Sequence, residues 1–435
     1  MNKRSRLAVA IMAMVMVFQL VCSIPSSAAS ADRGDQFNDY YGRAALSRMD
    51  NSAALLYAYD QVVKCVENSY ERISVYNGRN RLTVDELRVV VDAYRRDYAH
   101  HFWLGNTYRY SYNSRTILDY IPSYLMEGRE LEEAKVKFEA ECKKLLLGLN
   151  TSMSDYQKEL ILHDRITSMV TYTEGDNAHS AYGAIVEKKS VCEGYAEAFQ
   201  YLLHRIGIQS FLVLGYANEA HEWNMVRIDG EYYHVDLTWD DNENHIYHSY
   251  FNLTDDMIKE DHYIYDTEYG LPDCECDDLH YFKVNDDQMI NGVSSNTDRI
   301  AEMLLAGNKE ATVYVTGNPQ KFIEWYYDNI RPIAYRMGVI GPFSYGYSSK
   351  GHEIVLRLNG YIYGYNPPAA KGDANGDGGI TNADVLDIMK FIYDKDTNPL
   401  SDPEAADVNK DGKLTNADVL AIYRHIFNPD MYPIG

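Results

Sequence analysis

The sequence predicts an α+β fold, a cysteine-bearing helix packed on an antiparallel sheet, and three observations carry that expectation. Cys192 opens a stretch in which Tyr195, Ala198, Phe199, Leu202 and Ile206 recur at helical spacing. Two alternating stretches follow, separated by Asp229-Gly230, a strong signal for a two-residue hairpin turn. Far downstream an aspartate-rich loop occurs twice, each time ahead of an apolar helical pattern, which marks an EF-hand-like all-α tail.

The Cys192 helix is expected to stop at Gly207, since glycine readily takes the left-handed backbone that ends a helix. A thiol at a helix N-terminus sits at the positive end of the dipole among unpaired N–H groups, which favours the thiolate. In the hairpin, a two-residue turn opposes Ile228 to Glu231, Trp223 to Asp236 and His221 to Thr238. His221 and Asp236 then share one face as diagonal neighbours, roughly 7 Å apart and within side-chain reach. Val226, Ile228, Tyr233, Val235 and Leu237 take the other face, as core. A slip of one residue would send His221 and Asp236 to opposite faces.

At 435 residues the chain is too long for one ordinary core, and 46% hydrophobic residues make most of it globular. A net charge of -23 argues against nucleic acid or an anionic membrane as partner, because phosphate binding needs clustered Lys and Arg. Lys3, Arg4 and Arg6 precede an apolar run over 7–21 and the small residues Ala29-Ser30-Ala31, so 1–31 reads as a Sec signal peptide and the mature chain as secreted. That run is too short for a membrane span. Val21 before Cys22 is not the small residue that a lipid attachment site needs.

Removing the leader leaves Cys65, Cys142, Cys192, Cys274 and Cys276, an odd number that implies a free thiol, with Cys192 as the candidate. Cys65 and Cys142 are either a disulfide or two buried inert thiols. Cys274-Glu275-Cys276 is a poor zinc signal, because no second cysteine pair or HxxxH pattern completes the ligand set.

Residues 32–150 form a mostly helical N-terminal region. Apolar spacing marks a helix over 44–70, Thr83 and Glu86 make a capping box, the aromatic stretch 100–114 is a short hairpin, and 130–149 is a charged amphipathic helix. His100, His101 and Trp103 read as packing or a substrate rim. A second capping box, Ser154 with Gln157, opens a helix to about residue 170 that leads into a core over 151–280. His179 is a solvent-facing loop histidine. Tyr182 is a candidate for lining the oxyanion site, and Trp223 and Trp239 for contacting substrate. A capped helix starts at Thr254.

Over 281–365 the pattern gives a helix at 298–306 stopped by Gly307, a strand at 311–315, a helix at 319–337 broken near Pro332, and two final strands. This is a small α/β accessory domain with no chemistry of its own. Residues 366–370 are a linker, and 371–435 carry the repeat.

In that repeat, DANGDGGITNAD begins at Asp373 and DVNKDGKLTNAD at Asp407. Oxygen ligands at loop positions 1, 3, 5 and 12, with glycine at 6, make each a calcium loop. The ligands are Asp373, Asn375, Asp377 and Asp384, then Asp407, Asn409, Asp411 and Asp418; Gly378 and Gly412 make the sharp turns. Gly379 and Lys413 supply carbonyls, and Thr381 and Thr415 act through water. Two Ca2+ ions follow, with no cofactor for catalysis. Asn366-Pro367-Pro368 leaves no entering helix. Loop plus exiting helix, duplicated, resembles a type I dockerin over about 371–432. The resemblance implies docking to a cohesin domain of a cellulosomal scaffoldin, with Asn382-Ala383 and Asn416-Ala417 helping to choose the cohesin.

Cys192, His221 and Asp236, set in CEGYA, HEWN and YYHVDLTWDD, resemble the transglutaminase-like core of bacterial secreted proteins. The similarity runs from about residue 154 through FNLTDDMI to Asp261-His262. It implies a papain-like fold with Cys192 as nucleophile, His221 as base then acid, and Asp236 orienting the imidazole. The implied activity is amide-bond chemistry on a protein or peptide through a thioester, hydrolytic in the manner of a cysteine peptidase or isopeptidase. Crosslinking of protein glutamine is the alternative enzyme, and a non-catalytic binding module the alternative of another class.

Overall fold

The computed structural model describes residues 40–242, 245–265, 269–291, 297–362, 371–374, 380, 382–393, 395, 400, 403–410, 412–427 and 434. The expected leader (1–31) and linker (366–370) lie outside the described residues.

The N-terminal region is helical where the spacing requires it. The apolar stretch 44–70 divides into Tyr41–Arg48 and Ser52–Glu67, separated at Asn51, whose φ of 58° cannot continue a helix. The capping box at Thr83 forms and opens Val84–Asp97. Stretch 100–114 supplies only the strand Leu104–Tyr112; its partner is Ile117–Tyr124, so the hairpin is longer than the sequence suggests. Asn113 Oδ1 accepts from Arg115 N and Thr116 N across the turn. The amphipathic helix spans Gly128–Leu146.

The second capping box opens Asp155–Met169, and the Cys192 helix spans Cys192–Arg205. Gly207, at φ 82°, ends that helix as expected: its N–H reaches His204 O at 3.0 Å and Ile208 N–H reaches Leu203 O at 3.0 Å. The chain then enters a five-stranded antiparallel sheet with spatial order Tyr263–Ile264, Gln209–Ala217, Glu219–Ile228, Glu231–Val235, Phe251–Leu253. Asp229 (φ 53°) and Gly230 (φ 97°) both take positive φ, the requirement of a type I′ turn.

The register follows from that turn: Ile228 pairs with Glu231, Val226 with Tyr233, and Asn224 with Val235. There the ladder ends. Asp236 leaves the strand and N-caps a one-turn helix, Leu237–Asp240, so the expected pairs Trp223 with Asp236 and His221 with Thr238 do not form.

Both sheet faces are buried. Val226, Ile228, Tyr233 and Val235 join the core around the Cys192 helix, whereas Trp223, Met225, Phe211 and Val213 form a second cluster. The first cluster runs without interruption from Ala45 to Tyr269. The N-terminal helices are therefore a wall of the same core, and residue 150 is not a packing boundary.

Ile290 to Leu358 build a separate core. Its sheet has the order Met289–Ile290, Glu310–Val315, Glu353–Ile362, Val339–Lys350, covered by helices Thr297–Ala306 and Pro319–Arg336. The second helix runs through Pro332 rather than breaking. Pro332 and Asp328, whose carbonyl loses its intrahelical bond, are both exposed, so water replaces that bond. In the tail, helices Asn382–Tyr393 and Asn416–Phe427 pack through Val385, Ile388, Val419 and Ile422.

Candidate active site

The Cys192 helix starts abruptly. Val191 is its N-cap in extended conformation, without a side-chain cap. The preceding strand Lys189–Ser190 pairs in parallel with Thr171–Tyr172, and Ser190 Oγ donates to Ala178 O at 2.7 Å. This folds the loop 173–188 tightly over the first helical turn. A Cβ on Gly194 would lie 2.1 Å from Ser190 Oγ and 2.6 Å from Ser180 O, so only glycine fits there. Cys192 is left half-buried as a free thiol. Its N–H belongs to the first helical turn, where N–H groups have no intrahelical acceptor.

His221 and Asp236 meet just beyond the end of the ladder: Nε2 of His221 is 2.6 Å from Oδ2 of Asp236. The Cys192 thiol lies near enough to act on the same imidazole. Nε2 is committed to Asp236, which leaves Nδ1 as the ring nitrogen not engaged by a carboxylate. Gly215 lies opposite His221 in the ladder, and a Cβ on it would come within 2.4 Å of the Trp223 ring. Trp223 stacks against His221 at 5.9 Å between centroids and donates Nε1–H to His234 Nδ1 at 3.1 Å.

Asp236 is saturated. Its Oδ1 accepts Thr238 N at 2.9 Å and Trp239 N at 3.1 Å, which caps the one-turn helix. Its Oδ2 takes Nε2 of both His221 and His262, the latter at 3.0 Å. Burial lowers the affinity of His221 for a proton, but the Asp236 carboxylate and the Cys192 thiol more than offset this and raise its pKa to about 10. Burial would raise the pKa of Asp236, yet its histidine partners hold it well below the usual carboxylate range.

The three expected catalytic residues are thus in one place. Of the expected substrate contacts, Trp239 lies at the site: its ring is 4.6 Å from His262 and carries Lys350 Nζ at 4.2 Å. Lys350 comes from the 281–365 unit, which therefore touches the site's rim. Trp223 is 1% exposed and packs beneath His221. Tyr182 is buried among Phe102 and Phe138 as a packing residue. His179 is a half-exposed loop residue hydrogen-bonded to Glu193 at 2.5 Å. Cys65 and Cys142 are both buried thiols, with no disulfide between them.

Three groups among the described residues bring histidine and acidic or thiol atoms together: His221, Asp236 and His262; His163, Asp164 and His248; His234, Asp255 and Cys274. In each the imidazole and carboxylate atoms touch at 2.6 to 3.0 Å. Ligands around a tetrahedral zinc stand about 3.4 Å apart, so these are direct hydrogen bonds.

In the tail, Asn375, Asp377, Gly378, Gly379, Thr381 and Asp411 lie outside the described residues, as do the side chains of Asn382, Ala383 and Asn416; Ala417 is exposed. Asp373, Asp384 and Asp418 are buried. Gly412 (φ 73°) makes the turn of the second loop, and its N–H reaches Asp407 Oδ2 at 2.8 Å. Asp418 accepts Thr415 N at 3.0 Å, Asn409 N at 3.4 Å and Thr415 Oγ1 at 3.4 Å. No cationic side chain is among these partners. A buried carboxylate so placed, in an all-oxygen loop with Asp407, Asn409 and Lys413, fits a bound calcium ion.

Fold and site together define a mixed α+β chain with a thiol, an imidazole and a carboxylate in line at a helix N-terminus. Residues 144–237 match the family model of the transglutaminase-like superfamily, and residues 371–427 match that of the dockerin type I domain. The chain therefore carries a transglutaminase-like domain and a type I dockerin domain. No curated protein is significantly similar to it. Among solved structures it is similar to a candidate cysteine protease from Cytophaga hutchinsonii, at 19% identity and TM-score 0.21, over 30% of this chain and 61% of that one. It is also similar to a TGase, at 12% identity and TM-score 0.22, over 37% of this chain and 49% of that one. The chain spans less than two thirds of each.

Proposed function

We propose that this chain is a secreted thiol hydrolase of amide bonds, a cysteine peptidase or isopeptidase, held on a cellulosomal scaffoldin by its dockerin. The observation that supports the reading is the His221 Nε2–Asp236 pair at 2.6 Å, close to the Cys192 thiol at a helix start. Cys192 attacks the amide carbonyl as the thiolate partner of a protonated His221. The oxyanion of the tetrahedral intermediate lies toward the Cys192 N–H at the helix start. His221 then protonates the leaving amine as the C–N bond breaks, and a thioester remains. Water, deprotonated by His221, releases the acid and restores the thiol. Asp236 keeps the imidazole oriented and stabilises its charged form.

The dockerin supplies location. Asp407, Asn409 and Asp418 would hold one calcium ion, and Asp373 with Asp384 the other, neutralising carboxylates that are otherwise buried beside the two exiting helices. A cohesin domain is the partner this module fits.

The test is incubation of the full chain with a peptide library and a labelled primary amine. Hydrolysis leaves cleaved or deamidated peptides, whereas amine incorporation identifies the same thioester resolved by a crosslinking acceptor. A chain that does neither is a binding module.

A further inference from the structure

His262 lies beyond the stretch that matches the transglutaminase-like model, yet it bonds to the orienting carboxylate. Its Nε2 is 3.0 Å from Asp236 Oδ2, and its Nδ1 is 2.6 Å from Asp261 Oδ1. The outer oxygen of Asp261 accepts the Tyr250 hydroxyl at 2.5 Å. Ionised carboxylates only accept hydrogen bonds, so a ring placed between two of them needs a proton on each nitrogen. Asp236 is ionised on independent grounds, since both its oxygens already accept from backbone N–H groups and His221.

We infer that His262 is a charged positioning residue, an imidazolium clamped between Asp236 and Asp261 that pins the orienting carboxylate and adds positive charge behind the catalytic pair. The inference rests on the thiol reading above. His262 is 4% exposed, so its position is fixed by packing. The groups facing it are Asp261 from its own segment, Asp236 from the helix cap, His221 and His234 from the two central strands, the Tyr250 hydroxyl, and the rings of Trp223 and Trp239. Burial disfavours its charged form, but the two carboxylates outweigh burial and raise its pKa. Asp261 and Tyr250 also line a cavity of 420 Å3 between this core and the 281–365 unit, bordered by His280, Tyr314 and His352.

The consequence has a sign. The pH dependence of Cys192 labelling reads the charge that surrounds the thiol and its imidazole partner. Removing the charge of His262 makes the surroundings more negative, which moves both thiol ionisation and the loss of the His221 proton to higher pH.

The experiment follows iodoacetamide labelling of Cys192 in the full chain against pH, read by peptide mass, for wild type, His262→Gln and His262→Phe. Gln can still donate to Asp236 but is neutral; its labelling midpoint should rise by about one pH unit. Phe loses charge and donor together, so its midpoint should rise and its plateau fall by about tenfold. An unchanged midpoint in His262→Gln overturns the inference, whatever happens to the rate. Should neither variant fold, the His262 imidazole proton signal in wild type decides: titration at or below the ordinary histidine value overturns the inference. A wild-type Cys192 that labels no faster than the unfolded chain instead defeats the thiol reading itself.

Discussion

Asp236 Oδ2 lies 2.6 Å from His221 Nε2, while Oδ1 of the same carboxylate caps the helix that follows. The two roles separate under substitution. Asp236→Asn retains an oxygen for the cap but can turn an NH2 toward Nε2, which forces the other tautomer and leaves no acceptor for the thiol proton. Labelling or turnover at Cys192 should fall by about 10³-fold with little loss of stability. Asp236→Ala should also lose about 1 kcal/mol through the cap. Thermal melts beside rate measurements on both variants check this; an Asp236→Asn enzyme of near-normal rate would remove Asp236 from the mechanism.

The turn between the two site strands gives a stability prediction. Gly230 holds φ at 97° and Asp229 at 53°. Gly230→Ala meets no steric neighbour but places a Cβ in the left-handed region, at about 1 kcal/mol. Urea denaturation should show that loss while His221 and Asp236 remain in register. A neutral or stabilising result would mean the turn does not set the pairing.

Much of this arrangement was legible in the sequence because it is local. Asp229-Gly230 fixes the register from Ile228/Glu231 to Asn224/Val235, and Gly207 and the two capping boxes end or start helices through bonds spanning three to five residues. His262 was not legible as a site residue. It sits 26 residues beyond Asp236, on a loop without periodicity, and it reaches the site only because Thr254–Ile258 and the return to the sheet edge bring it behind the carboxylate. Trp223, expected to contact substrate, shares a strand face with His221 and is buried against its ring instead. The joint core of residues 45–269 was hidden for a similar reason: an amphipathic helix shows its apolar face and not what covers it. Pro332 misled because helix breaking depends on whether the orphaned carbonyl is wet, which is a tertiary property.

Glu159 gives a pH dependence that does not involve the thiol. It is fully buried, its Oε2 accepts Asn252 Nδ2 at 3.0 Å, and Oε1 has no hydrogen-bond partner. Burial, only partly offset by the Asn252 bond, raises its pKa to about 8. A carboxyl raised in the folded state holds an extra proton there between its unfolded value, about 4.3, and its folded one. Its stabilising contribution is therefore complete below that unfolded value and is lost as pH rises through about 8. His163, raised to about 9 because Asp164 and Asp240 outweigh burial, acts in the same direction at higher pH. Melting temperature should fall as pH rises toward 8, and Glu159→Gln should flatten that fall. Parallel curves for wild type and variant would contradict the assignment.

For the tail, Asp418 carries the prediction. Among the described residues its buried carboxylate accepts from Thr415 and Asn409. Asp418→Ala should remove one calcium ion of about two in the full chain, seen by calorimetric titration, and weaken cohesin capture. Capture that survives both the substitution and a chelator would contradict a calcium-organised docking module.

The central claim, that Cys192 carries the acyl group, is tested most directly by acid-quenching the full chain during reaction with a peptide library and mapping the modified peptide by mass. The account predicts a hydroxylamine-sensitive acyl adduct on Cys192, absent from Cys192→Ala, with none on Cys65 or Cys274, whose thiols are buried and raised in pKa, Cys65 to about 11. Turnover retained by Cys192→Ala, or an adduct on another residue, would contradict it.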